Sequence, residues 1–200
     1  MRRLGVYGGT FSPPHIGHIG AARAFAEQMK LDELLIIPTR TPPHKLPDGM
    51  ASAEERLEMC RRAFVDIGIA RISDTEIRRG GKSYTYLTLE ELSEAGTELY
   101  FLCGTDMILT LGEWKNPARI FELATVCYIR REAEEDVDGQ IELRVGEYRR
   151  KYDARIVAVD HVPLELSSSE IRARIAEGGD VSELVDPFTL EYIRERGIYG

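Results

Sequence analysis

Short apolar runs that alternate with segments of helical periodicity most constrain the fold of this chain. The runs have the length and the near-continuous apolar character of strands that are buried on both faces of a sheet. They cover residues 4–7, 34–37, 99–103, 125–129 and 155–159. Strands that alternate with helices pack as a parallel sheet between two helical layers. The sequence therefore predicts an α/β fold: a Rossmann-like, doubly wound parallel sheet with helices on both faces.

Helix boundaries are predicted from spacing, caps and stops. The first predicted helix ends near residue 30. The next four span residues 52–64, 85–95, 117–123 and 141–152. Of the last two, one begins near residue 168 and the other spans residues 187–196. Ser52 and Glu55 have the capping-box spacing at the start of the second helix. Residues 69–77 alternate apolar and polar side chains, which predicts one more strand. A basic, glycine-rich turn is expected over residues 78–82.

Length and charge bound the class of protein. The chain has 200 residues, of which 43% are hydrophobic, and a net charge of -8. This length suits a single domain, residues 1–200. The acidic balance argues against an extended nucleic-acid partner, which needs a broad basic face. No apolar run is long enough to span a membrane, so no membrane partner is expected.

Cysteine usage points to a reducing compartment. Cys60, Cys103 and Cys127 are odd in number and lack metal-ligand spacing, so reduced, buried thiols are expected. The N-terminus leads directly into the first predicted strand, as in a protein that remains in the cytoplasm. The sequence leaves the oligomeric state open, and a homo-oligomer is compatible with it.

Residues 8–18, read as GGTFSPPHIGH, lie between the first predicted strand and a helix. Gly8 and Gly9 let the backbone approach a ligand closely, and the free N–H groups at a helix start attract an anion. His15 and His18 lie on one face of the first turn, and both can donate hydrogen bonds to phosphate oxygens. A zinc site at this pair is disfavoured because the other histidines and the cysteines are scattered along the chain.

Residues 8–18, the first signature, resemble the His-x-Gly-His signature of the nucleotidyltransferase superfamily. Their neighbours are most similar to the bacterial nicotinate mononucleotide adenylyltransferases, although Ser12 stands where that family usually has Asp or Asn. Residues 166–172, the second signature, resemble that superfamily's Ile-Ser-Ser-Thr-x-Ile-Arg. Alone, they would be an ordinary helix cap. The resemblance covers nearly the whole chain, including residues 192–199.

The resemblance implies a set of site residues. The catalytic residues it implies are His15, His18, Lys45 and Arg172. The ATP contacts it implies are Gly8, Gly9, Thr10, Phe11, His15, His18, Gly104, Asp106, Ser167, Ser168, Ser169 and Arg172. The nicotinate mononucleotide contacts it implies are Thr10, His44, Lys45, Tyr84, Thr85 and Trp114. Residues 166–200 would form a C-terminal helical segment that completes the nucleotide site. Mg²⁺ would arrive with ATP, without protein side chains as ligands.

Several of these residues also have ordinary structural interpretations. Trp114 can be a core residue, Thr85 and Asp106 can be helix N-caps, and residues 42–45 can form a rigid surface turn. Arg56, judged without the resemblance, is interpreted as a solvated helix residue.

The implied reaction transfers AMP from ATP to nicotinate mononucleotide and yields nicotinate adenine dinucleotide and pyrophosphate, a step of NAD biosynthesis. The acceptor phosphate, with a second pKa of about 6, can attack the α-phosphorus directly. Two alternatives remain: a nicotinamide mononucleotide or phosphopantetheine acceptor, or a nucleotide-binding module without catalysis. A dehydrogenase is disfavoured because no Gly-x-Gly-x-x-Gly follows the first predicted strand.

Overall fold

The computed structural model describes residues 1–41, 49–130, 136–162, 164 and 166–200. Within them, six strands form one parallel sheet in the order β3-β2-β1-β4-β5-β6. The strands are β1 (Arg2–Gly9), β2 (Glu33–Pro38), β3 (Ala70–Ile72), β4 (Thr97–Gly104), β5 (Ala124–Ile129) and β6 (Ile156–Val159). Strand order reverses between β1 and β4, so the predicted doubly wound, Rossmann-like sheet is confirmed, and its crevice lies at the carboxyl ends of these two strands.

Helices connect the strands and close the chain. They are α1 (Ile16–Gln28), α2 (Ala53–Ala63), α3 (Thr75–Arg79), α4 (Thr85–Leu92), α5 (Thr105–Thr110), α6 (Pro117–Leu123), α7 (Asp136–Tyr152), α8 (Ser168–Ala176) and α9 (Pro187–Arg196), with a 3-10 turn at Leu111–Glu113. Ser52 and Glu55 form the predicted capping box at α2, and Gly197 ends α9 with a φ of 62°. No helix in the described ranges has the length and apolarity needed to cross a bilayer.

Each face of the sheet carries its own apolar core, because successive side chains of a strand point to opposite faces. Val6 belongs to the core with helices α4 to α7, and Tyr7 belongs to the core with α1 and α2. A third cluster joins Met59 of α2 to Ile171 of α8 and Ile193 of α9. The C-terminal helices are therefore packed onto the layer that carries α2. The three cysteines are free and buried, as predicted.

The strand predicted over residues 69–77 is wrong beyond Ile72, where β3 ends. The backbone N–H of Thr75 donates to the hydroxyl of Ser73 at 3.3 Å, and Arg78 donates to the carboxylate of Asp74 at 2.8 Å. These local bonds compete with a sheet ladder and favour the short helix α3. The basic turn predicted from residue 78 is correspondingly shorter, since Arg78 and Arg79 belong to α3.

Candidate functional site

A cavity of about 380 Å³, here called the main cavity, opens at the switch point of the sheet. Both signatures and the start of α4 contribute to its wall. Its polar and glycine lining comprises Gly8, Gly9, Thr10, Ser12, His15, His18, Thr39, Glu76, Ser83, Thr85, Thr88, Gly104, Ser167, Ser168, Ser169 and Arg172. Phe11, Met107, Trp114 and Leu166 are among its apolar lining residues. Segments far apart in sequence thus meet on one rim, as ligand sites of parallel sheets do.

The two histidines of the first signature form a close pair. Both are buried, and their ring centroids lie 3.7 Å apart. The backbone N–H of His15 donates to Nδ1 of His18 at 3.2 Å. An imidazole nitrogen that accepts a hydrogen bond carries no proton, so neutral His18 carries its proton on Nε2. The fold therefore selects the tautomer of His18 whose Nε2–H is a hydrogen-bond donor.

The two glycines of the first signature serve different purposes. A Cβ at Gly9 would lie 2.8 Å from the ring of Phe11, which is only 1% exposed and packs edge-on against Phe64. A Cβ at Gly8 would meet nothing closer than the carbonyl oxygen of Ile37, 3.9 Å away. Gly9 therefore makes room for a core ring of the chain itself, whereas Gly8 leaves open space at the main cavity.

The second signature lies directly against the first. Ser167 caps α8, the hydroxyl of Ser168 donates to the carbonyl of Pro13 at 2.8 Å, and Arg172 donates to the carbonyl of Ser12 at 2.9 Å. These contacts orient the guanidinium of Arg172, whose N–H donors form the planar fork that matches phosphate oxygens. The arrangement presents hydroxyl and N–H groups to the main cavity, the donors that phosphate oxygens require.

The segments predicted to meet the acceptor ring form another part of the wall. Thr85 and Trp114 line the main cavity, and Tyr84 lines an adjoining cavity of about 360 Å³ that shares both of these residues. Trp114 is partly buried and packs edge-on to Phe101, with 6.3 Å between ring centroids. The alternative of Thr85 as an N-cap is wrong, because Tyr84 occupies the cap and Thr85 begins the helix.

The structure leaves the predicted roles of three site residues untested. Asp106 is exposed in the first turn of α5 and is absent from the described lining of the main cavity, and its alternative as an N-cap is wrong because Gly104 is the cap. His44 and Lys45 lie outside the described residues. The roles predicted for these three residues therefore stay predictions.

Arg56 is not the solvated helix residue expected from the sequence. It is fully buried and donates to the carbonyls of Thr10, Thr39 and Ala51 at 2.8, 2.6 and 3.2 Å. These bonds compensate the guanidinium for its lost hydration, although burial still lowers its pKa. Arg56 shares a face of α2 with Met59 and the next two buried positions of that helix, a spacing that could have revealed its inward direction.

Glu76 and Thr88 line the main cavity and were not foreseen. The Thr88 hydroxyl donates to Glu76 at 2.7 Å, and Arg79 donates to that hydroxyl at 2.9 Å. This buried network joins α3 to α4, the helix that begins with Thr85. The misassigned strand over residues 69–77 concealed it.

Comparison with known proteins places these features in a family. The profile of the Cytidylyltransferase-like family matches residues 6–174. A Shouchella clausii protein named probable nicotinate-nucleotide adenylyltransferase is 35% identical over 202 residues, which cover 100% of this chain and 98% of that protein. A protein of the same name from Desulfatibacillum aliphaticivorans is 36% identical over 214 residues, with 98% and 99% coverage.

A solved structure is similar in fold. The Plasmodium falciparum nicotinic acid mononucleotide adenylyltransferase complexed with NaAD superposes with a TM-score of 0.75 at 18% identity, over 100% of this chain and 98% of that one. The resemblance inferred from the two signatures is thereby confirmed. This chain belongs to the cytidylyltransferase-like family and is similar along its whole length to relatives named nicotinate-nucleotide adenylyltransferases.

Proposed function

We propose that this chain transfers the adenylyl group of ATP to nicotinate mononucleotide, a step of NAD biosynthesis. The observation that carries the proposal is the convergence of both signatures on the main cavity, through the 2.9 Å bond from Arg172 to the carbonyl of Ser12. The partly buried Trp114 on the same wall is a flat, polarisable partner suited to a pyridine ring. The names of the full-length relatives support the same activity.

The reaction is a direct, in-line displacement. A phosphate oxygen of nicotinate mononucleotide forms a bond to the α-phosphorus of ATP, and the bond from that phosphorus to the α,β-bridging oxygen breaks, which releases pyrophosphate. The acceptor phosphate is largely ionised at neutral pH, because its second pKa is about 6, so no side-chain base is needed. Catalysis then depends on positioning and on stabilising the charge that develops.

The residues of this chain supply that stabilisation. His18, with its proton on Nε2, and His15 donate to oxygens of the transferring phosphoryl group. Arg172 and Lys45 offset the charge on the β- and γ-phosphates. The substrate would be MgATP, whose cation would offset part of the negative charge of the triphosphate. The signatures offer the donors that fit its phosphate oxygens.

The whole chain contributes to this site as one domain. The third apolar cluster supports this proposal, because it packs Ile171 and Ile193 of the C-terminal segment against Met59. Residues 166–200 complete the nucleotide site through the second signature. Three free, buried thiols support a cytoplasmic location.

Pyrophosphate release from MgATP tests the function. Nicotinate mononucleotide, nicotinamide mononucleotide and phosphopantetheine are supplied as separate acceptors, and His18→Ala is the control. Preference for the nicotinate acceptor, lost in the control, is expected. Preference for another acceptor would reassign the substrate, and ATP binding without release for any acceptor would favour a nucleotide-binding module.

The acceptor subsite is tested separately with Trp114→Ala. Loss of the ring should raise the KM for the acceptor about tenfold, since aromatic stacking on a base contributes about 1–3 kcal/mol. The KM for ATP should change less than about twofold, because the substitution removes a contact with the acceptor and none with ATP. An unchanged acceptor KM would remove Trp114 from the subsite.

A further inference from the structure

Ser12, the position at which the first signature departs from its family, is a junction between both ends of the chain. It is 1% exposed, and its hydroxyl lies 2.8 Å from the hydroxyl of Tyr199. The same Ser12 oxygen accepts the backbone N–H of Ala51 at 3.1 Å. Since the Ser12 carbonyl also accepts from Arg172, one buried residue joins the first signature to the residue before the α2 cap, to α8 and to the C-terminal tail.

The backbone on both sides of this junction is strained. Tyr199 has a φ of 71° and Phe11 has a φ of 50°, a region that aromatic residues rarely adopt. Such conformations persist only where the surrounding structure determines them strongly, and they cluster at functional sites. Ile198, which is 7% exposed, anchors the tail in the third apolar cluster and so holds Tyr199 in place.

The tethered segment is the one that carries the catalytic histidines. Ser12 lies three residues before His15, and the backbone of His15 donates to His18. A shift of Ser12 therefore changes the position of both imidazoles. The Tyr199 hydroxyl contacts this segment at Ser12, so it acts on the histidine pair through that residue, and the guanidiniums of Arg172 and Arg56 are among its charged neighbours.

We propose that Tyr199 is a positioning residue for adenylyl transfer, which fixes the histidine pair by holding Ser12. The proposal rests on the proposed function for its catalytic consequence. Misplacement of a catalytic donor by about 1 Å can lower the rate about a hundredfold. Loss of one hydrogen bond between two neutral hydroxyls should move the histidine pair by less than this distance, so the rate should fall by less. Tyr199→Phe should therefore lower kcat by about tenfold, with less than about a twofold change in the KM of either substrate.

The test compares Tyr199→Phe, Ser12→Ala and the double variant with a matched control. Tyr192→Phe makes the same chemical change in α9, where the Tyr192 ring packs under Arg62. The control should keep the wild-type kcat. Because Tyr199 and Ser12 act as a pair, the double variant should be no slower than Ser12→Ala alone.

A second measurement does not depend on turnover. Amide hydrogen exchange over residues 12–18 should become at least about tenfold faster in Tyr199→Phe and stay unchanged in Tyr192→Phe. Unchanged exchange in Tyr199→Phe would overturn the tether, whatever the activity. Faster exchange with a wild-type kcat would overturn the positioning role. A wild-type protein that releases no pyrophosphate with any acceptor would refute the proposed function and, with it, the role of Tyr199 in catalysis. The exchange result would still show whether Tyr199 restrains residues 12–18.

Discussion

Replacing Arg56 with methionine tests how strongly the rim of the main cavity depends on one buried guanidinium. Its shortest bonds run to the carbonyls of Thr10 and Thr39, which follow β1 and β2, at 2.8 and 2.6 Å. Longer bonds reach the carbonyls of Ala51 and Arg40, at 3.2 and 3.3 Å. Methionine keeps an unbranched apolar stem but is shorter and has no donor, so all four carbonyls lose this partner.

The expected loss in the free energy of unfolding follows from the two short hydrogen bonds. A hydrogen bond from a charged donor contributes about 1.5–3 kcal/mol, so these two contribute about 3–6 kcal/mol together. Removing the buried charge recovers part of its desolvation cost, which leaves an expected loss of about 3 kcal/mol in the free energy of unfolding. For a domain of this size, that loss lowers Tm by about 6–12 °C.

Urea unfolding followed by circular dichroism measures this loss for Arg56→Met. Arg61→Met is the matched control on the same helix, because the Arg61 side chain is 55% exposed. The control should change the free energy of unfolding by less than about 0.5 kcal/mol. If Arg56→Met also lost less than about 1 kcal/mol at an unchanged m-value, the four carbonyls would not depend on Arg56 and the reasoning would fail.

Further predictions concern the first signature and the tail. Gly8→Ala should keep the wild-type Tm, because its Cβ would project into open space of the main cavity. The same methyl group should weaken ATP binding, measured by calorimetry, at least about tenfold, and unchanged binding would place ATP elsewhere. Gly9→Ala should lose about 1–3 kcal/mol in urea unfolding because its Cβ overlaps the Phe11 ring, and a wild-type midpoint would contradict this. His18→Asn offers Oδ1 as a substitute acceptor for the backbone N–H of His15 but lacks the Nε2–H donor. Its kcat should therefore fall about a hundredfold with an unchanged circular dichroism spectrum, and a wild-type kcat would exclude Nε2–H as a catalytic donor. Burial raises the pKa of Tyr199 to about 12, above the value of about 10 for an unfolded chain. The unfolded state then loses this proton first, so stability should fall as pH rises from about 10 to 12, and Tyr199→Phe should show a smaller fall in urea midpoints over that range.

The parts of the fold that were predictable from sequence are those whose signals are local. Residues 99–103 read as a buried strand because both faces of a parallel sheet are covered, and they lie within β4 (Thr97–Gly104). Pro117 at the first helical position and Gly197 as a stop mark α6 and α9 at the residues where these helices begin and end.

The parts that were not predictable depend on contacts between distant segments. Alternation over residues 69–77 predicted a strand, yet the carboxylate of Glu76 is held inside by Thr88 of another helix. Arg56 was assigned to solvent because its carbonyl partners come from loops whose positions only the folded sheet defines. Periodicity indicates which face of an element is apolar, but it does not show that a charged side chain will find enough buried partners to join that face.

For the site, the sequence predicted which segments meet, but not what each atom contacts. The resemblance assigned residues of both signatures to one ATP site, and both signatures line the main cavity at the carboxyl ends of the parallel strands. However, Ser168 and Arg172, expected at the phosphates, also bind the carbonyls of Pro13 and Ser12. The resemblance alone could not show that the second signature supports the first.

This double use of the same residues determines how substitutions here must be interpreted. Ser12→Ala removes the partner of Tyr199 and also deprives the buried N–H of Ala51 of its acceptor, so it lowers stability and disturbs the first signature at once. Tyr199→Phe removes one hydroxyl and leaves that N–H satisfied. A loss of rate in Tyr199→Phe without a matching loss of stability therefore reports positioning, whereas a loss of both in Ser12→Ala cannot separate the two effects.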